Sequence, residues 1–178
     1  MTALVEQARH ALSSLPSRQA VEYQGRWFCW SDLSAVADSV TRILAEDGLS
    51  HGASIAFVPR NRPSAIAAEL AMIAGAHTIR MAYAFQASTG IARDVGRLPV
   101  QAVVAANEDF TPELIALVKE RGLTAIGLED MHATRVAGTT HGSVEVSTHN
   151  AEPQIFVHTS GTTGAPKSVG FRDRKSVV

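Results

Sequence analysis

The residues best suited to chemistry lie together near the end of the chain. Ile155, Phe156 and Val157 form a short apolar run that leads into Thr159, Ser160, Gly161, Thr162, Thr163, Gly164, Ala165, Pro166 and Lys167. Hydroxyls, glycines and a lysine in this order suit an anion rather than a metal or an acyl group. Gly161 and Gly164 permit positive φ and close backbone approach, so successive N–H groups can face anionic oxygens. Thr159, Ser160, Thr162 and Thr163 can donate hydroxyl hydrogen bonds, and Lys167 supplies a point charge. Pro166 fixes φ beside that lysine. The combination fits a polyphosphate. It is not a Walker A loop, which needs Gly, four residues and then Gly-Lys-Ser/Thr, because Pro166 stands where the second glycine would be. Ser160 is not in a nucleophile elbow, because no glycine stands two residues before it.

Such a loop needs elements to hold it, and the chain supplies an alternating set. Val21 to Tyr23 and Arg26 to Trp30 are β-favouring runs around Gln24 and Gly25, which predicts a small hairpin. Ser31 is the expected N-cap of a helix over Asp32 to Asp47, with Leu33, Val36, Ala37, Val40, Ile43 and Leu44 at helical spacing and Gly48 as the stop. Strands are expected over Ser54 to Val58, Thr78 to Met81, Ala102 to Ala105, Thr124 to Leu128 and Gln154 to His158. Helices are expected between them. One runs from Pro63 to Ala74 with Ile66, Leu70 and Ile73 on one face, and a weaker one from Ala87 to Arg97. A third opens at Thr111 and Pro112 and closes at Gly122. From Glu129 to Glu152 the pattern lapses into a surface excursion, with a short β segment around Val144 to Val146. Apolar strands alternating with amphipathic helices predict an α/β fold, with a layered, mostly parallel sheet covered by helices on both faces and a small N-terminal hairpin.

Composition narrows the function classes. The chain has 178 residues, of which 46% are apolar and 19% charged, so it has the makings of a packed core. Sixteen Lys and Arg against 17 Asp and Glu leave a net charge of -1. That excludes a sequence-independent nucleic-acid binder and a polybasic membrane segment. Met1 to Leu12 is not a secretory signal, and Ser64 to Ala84 is broken by Glu69, His77 and Arg80, so no transmembrane segment is expected. A cytoplasmic location is expected. One cysteine, Cys29, excludes an internal disulfide framework and reads as a small buried residue. The seven histidines, at 10, 51, 77, 132, 141, 149 and 158, show no paired ligand spacing. Arg60 and Arg62 flank Asn61 before a helix and read as a solvated loop.

Nine consecutive positions, Thr159 to Lys167, resemble the Thr-Ser-Gly-Thr-Thr-Gly-x-Pro-Lys signature of the adenylate-forming, AMP-binding superfamily of acyl-CoA synthetases, adenylation domains and luciferases. The resemblance extends back through three weaker matches. Arg26 to Leu33 is similar to the family's first hairpin and helix start, His51 to Pro63 to its strand and turn, and Leu70 to Ala76 to its helix end. Ser168 stands where the family commonly has Gly, and His158 where it commonly has an aromatic residue.

The resemblance implies an ATP-dependent ligase that activates a small carboxylic acid as an acyl-adenylate and passes the acyl group to a thiol, CoA in the acyl-CoA synthetases. ATP, Mg2+ and CoA are the implied cofactors and co-substrates. Thr159, Ser160, Gly161, Thr162, Thr163, Gly164 and Lys167 would hold the β- and γ-phosphates, with no residue here assigned to bond making. An adenylation domain that loads a carrier protein and a non-catalytic nucleotide-binding module are the alternatives. On this reading residues 1–172 are a partial N-terminal AMP-binding domain, and 173–178 are a non-native tail. The acyl substrate and the oligomeric state are not specified by the sequence.

Overall fold

A computed structural model of the chain describes residues 3–139, 154–159 and 167–172. The helix α1 (Ala3–Ser14) leads into a hairpin of β1 (Gln19–Tyr23) and β2 (Arg26–Cys29). Gln24 and Gly25 both have positive φ, 52° and 77°, as a two-residue turn matched to strand twist requires. The helix α2 (Trp30–Glu46) starts earlier than the position of Ser31 suggests. Cys29 is its N-cap, and the Cys29 backbone N–H donates to Asp32 Oδ2 at 2.7 Å. Cys29 is therefore a half-buried capping position rather than a core residue.

Among the described residues the main sheet has seven strands, in the order β7-β6-β5-β3-β4-β8-β9. The strands β3 (Ser54–Phe57), β4 (Thr78–Met81), β5 (Ala102–Ala106), β6 (Thr124–Glu129) and β8 (Gln154–Thr159) run parallel. The edge strands β7 (His132–Arg135) and β9 (Lys167–Arg172) are antiparallel to their neighbours. The helices α3 (Pro63–Ala74), α4 (Ser88–Gly96) and α5 (Pro112–Glu120) connect the parallel strands.

Side-chain alternation splits the core into two layers. Ile55, Phe57, Val104, Ile126 and Leu128 face α1, α2 and α3. Ala56, Val58, Val103, Ala105 and Ala125 face the other way, with Ile91, Val95, Leu114 and Val118 of α4 and α5. The sheet is thus covered on both faces, as expected.

Two expectations need correction, and the burial of α3 adds a finding of its own. The inner face of α3 is Ala65, Ala67, Ala68, Ala71, Met72 and Ile73, whereas Ile66 is 41% exposed and Leu70 only partly buried. Small side chains let α3 lie close to α1 and α2, so the bulkier Ile66 turns outward. The surface excursion after Glu129 includes β7, held by register pairs from Ile126–Arg135 to Glu129–His132. Arg60 and Arg62 are ion-paired as well as partly exposed: Arg60 pairs with buried Asp109, and Arg62 Nη2 lies 3.0 Å from both Glu108 carboxylate oxygens. The expected β segment at 144–146 and the tail at 173–178 lie outside the described residues.

Candidate functional site

Parallel strands direct their carboxyl ends to one edge of the sheet, where open α/β folds gather their ligand-binding loops. Here that edge carries Pro59 to Arg62 after β3, Ala82 to Ala87 after β4, a 3-10 turn at Asn107–Asp109 after β5, and the strand hairpin after β8. The two arginines after β3 are bound to the acids after β5, so these loops are tied together. The Asp109 hydrogen bond holds the Arg60 guanidinium above its ordinary range. Arg60 also lies 5.6 Å over the Phe85 ring, and Tyr83 meets Phe85 edge-on at 6.0 Å, both rings being well exposed.

Two residues of the expected phosphate-binding segment, Thr159 and Lys167, belong to β8 and β9. The six register pairs of these strands run from Gln154–Arg172 to Thr159–Lys167. Thr159 and Lys167, the first and last residues of the signature, therefore face each other across the mouth of the hairpin. Ser160, Gly161, Thr162, Thr163 and Gly164, with Ala165 and Pro166, lie between them and outside the described residues. The antiparallel return strand gives no signal of its own in the sequence, because its pairing is set by β8.

The hairpin is longer than its attachment to the sheet. Registered pairing of β8 with β4 ends at Arg80–Phe156. Beyond it, among the described residues, Val157, His158 and Thr159 pair only with Val169, Ser168 and Lys167. At the last attached pair, the Arg80 guanidinium lies 4.6 Å over the Phe156 ring, and Arg80 Nε donates to Ser54 Oγ at 2.9 Å. On the other side of Phe156, a Cβ at Gly170 would sit 2.9 Å from its Cε1, so the ring lies directly across that glycine. In the sequence Arg80 stands only as a break in an apolar stretch, and Phe156 as part of an apolar run. The available signal was an arginine interrupting the apolar run of β4.

The donor set suits an anion. From Gln154 to Arg172 there is no Asp or Glu, while His158, Lys167 and Arg172 are basic. Among the described residues no group of three His, Cys, Asp or Glu could hold a metal ion, so none of them is assigned to Mg2+. The buried histidine lies elsewhere. His77 precedes β4 at the opposite edge of the sheet, and burial first, then nearby His51, pushes its pKa down to about 4. No helix among the described residues is long and apolar enough to cross a membrane.

The model of the AMP-binding enzyme family matches residues 8–176. The chain belongs to the AMP-binding enzyme family. Among its relatives is the medium/long-chain-fatty-acid–CoA ligase FadD6 of Mycobacterium tuberculosis, 26% identical over 156 residues, which are 85% of this chain and 26% of that protein. ATP-bound MatB from Rhodopseudomonas palustris has the same fold at a TM-score of 0.69 and 21% identity, over 97% of this chain and 35% of that one. O-succinylbenzoate CoA synthetase (MenE) from Bacillus subtilis, in complex with AMP, gives 0.64 and 16%, over 95% and 42%. The chain thus spans about a quarter of the curated relative and well under half of the two solved structures.

Proposed function

We propose that this chain is the nucleotide-gripping N-terminal part of an ATP-dependent acid–thiol ligase. The observation that carries this reading is the unbroken Thr159 to Lys167 string, set on a hairpin with its first and last residues paired, within an AMP-binding family chain. In this reading Thr159, Ser160, Thr162 and Thr163 donate hydroxyl hydrogen bonds to the β- and γ-phosphates of ATP. Gly161 and Gly164 leave room for backbone N–H donors, and Lys167 balances charge. These groups hold the part of ATP that leaves and do not make or break bonds.

The reaction brings two anions together. A carboxylate oxygen attacks the α-phosphorus, and the bond to pyrophosphate breaks. The thiolate of CoA then attacks the acyl carbon and releases AMP. The dominant barrier is charge repulsion, which preorganised donors lower. Bound Mg2+ would supply further neutralisation. The CoA ligases among the relatives favour CoA over a carrier protein as acceptor. FadD6 favours a fatty acid as substrate, and the cytoplasm is where ATP and CoA would be met.

Calorimetric titration of ATP into the chain tests the grip, with Lys167→Ala expected to weaken binding about ten-fold through loss of one charge-assisted contact. Carboxylate-dependent exchange of labelled pyrophosphate into ATP, measured on the product of the whole gene, tests the first chemical step. CoA-dependent release of AMP tests the second. Unaltered ATP affinity in Lys167→Ala would reject the assignment of the hairpin.

A further inference from the structure

The signature hairpin projects three register pairs past the end of its attachment to β4. Among the described residues this part of the hairpin has no further strand beside it, and a two-stranded ribbon by itself is marginal in water. Something at its root must set its direction if its mouth is to present a fixed cradle.

We infer that Arg80, Phe156 and Gly170 are positioning residues that form a cross-strand clamp at the root of the signature hairpin. Arg80 of β4, Phe156 of β8 and Gly170 of β9 occupy successive register positions on three neighbouring strands. Directly opposed residues share a face of the sheet. The guanidinium covers one side of the Phe156 ring at 4.6 Å, and the glycine receives the other part of it, because any Cβ there would meet Cε1 at 2.9 Å. Ser54 of β3 fixes the guanidinium through Nε at 2.9 Å. The clamp therefore spans four strands and ends on the last pair before the hairpin leaves the sheet.

The charge of Arg80 supports this role. Arg80 is half-buried, and no carboxylate among the described residues pairs with it. An arginine is costly to desolvate, and in this position the aromatic face and one hydroxyl are its observed partners. Lysine would not substitute, because its ammonium lacks the planar surface that lies on the ring.

The anchoring stands on geometry alone, while its relevance to ATP rests on the function proposed above. Amide hydrogen exchange separates the two. Arg80→Met is expected to speed exchange along 157–159 and 167–169 about five-fold, the equivalent of one lost cation–π contact, and to leave the β5 and β6 amides unchanged. Phe156→Leu should do the same, the double variant should add little, and Phe156→Tyr should restore wild-type exchange. Gly170→Ala disturbs the ring from the opposite side and should open the same amides, which serves if Arg80→Met does not fold. Unchanged exchange at the mouth in both single variants, or equal acceleration across β5 and β6, would overturn the clamp. ATP titration of the wild type and Lys167→Ala on the same samples tests the nucleotide assignment separately. Hairpin amides that respond as expected in a chain that binds no ATP would uphold the clamp and reject that assignment.

Discussion

His77 lies against the α-carbon of Gly75, so that a Cβ added at position 75 would sit 2.4 Å from His77 Nε2 and 2.6 Å from Cδ2. The φ of Gly75 is -80°, which any residue adopts. This glycine is therefore required for space rather than for conformation. Gly75→Ala should destabilise the chain by about 1–3 kcal/mol, as other overpacking changes do. Urea unfolding of this variant measures it. The additional change His77→Ala should recover part of the loss, since it removes the atoms in the way.

The same histidine makes stability depend on pH. Burial first, then the neighbouring His51, lower its pKa from 6.5 to about 4. The folded state therefore holds a neutral ring where the unfolded state would take up a proton. Between pH 6.5 and about 4 the unfolded chain binds more protons, so this contribution is fully present above the upper limit and declines as pH falls. The shift corresponds to about 3 kcal/mol. Thermal unfolding across that range should show a slope that His77→Gln reduces. A slope unchanged in that variant would assign the effect to other groups.

Asp47 links three elements at the opposite side of α2. As the C-cap of that helix, it accepts hydrogen bonds from Thr124 Oγ1 of β6 and Arg135 Nη1 of β7. Arg135 also reaches Glu46 Oε2 at 3.3 Å. Asp47→Ala leaves the Thr124 hydroxyl and much of the guanidinium without this acceptor, and should cost about 2 kcal/mol. The edge strand β7 should lose more amide protection than β3, because among the described residues its registered pairing is with β6 alone.

A stabilising substitution is available in the first hairpin. Gln24 holds φ at 52°, a region in which asparagine is better tolerated than glutamine. Gln24→Asn should raise stability by about 0.5 kcal/mol, while Gly25→Ala should lower it by about 1 kcal/mol. Melting temperatures of the two variants should move in opposite directions.

The parts of the fold readable from sequence were those whose burial follows a simple period. In α2, Leu33, Val36, Val40, Ile43 and Leu44 are all buried, and the apolar run at 102–106 is buried throughout. The helix α1 was hidden because only Val5 and Ala8 of it are buried. In β7 only Ala133 is buried, which is too little for a periodic signal, and β9 takes its register from a distant partner. The signature residues were legible as a string because their chemistry is local. Arg80 and Gly170 were not, since their meaning depends on which strand lies beside Phe156. The acids that neutralise Arg60 and Arg62 were hidden for the same reason, lying 46 to 49 residues further along the chain.

The strand order imposes a delay on the ribosome. Thr78, Ile79 and Arg80 pair with β8, yet Gln154, where β8 begins, is made roughly seventy residues later. At bacterial or eukaryotic synthesis rates of about 5–20 residues per second, that side of β4 waits about 4–15 s for its partner. During that interval an apolar strand edge faces solvent beside other emerging chains, an arrangement that invites intermolecular pairing. The half-buried charge of Arg80 lies at the carboxyl end of that edge. An arginine there would oppose pairing with a wrong apolar strand until Phe156 arrives to receive it, so the residue that steadies the finished hairpin would also guard the unfinished sheet.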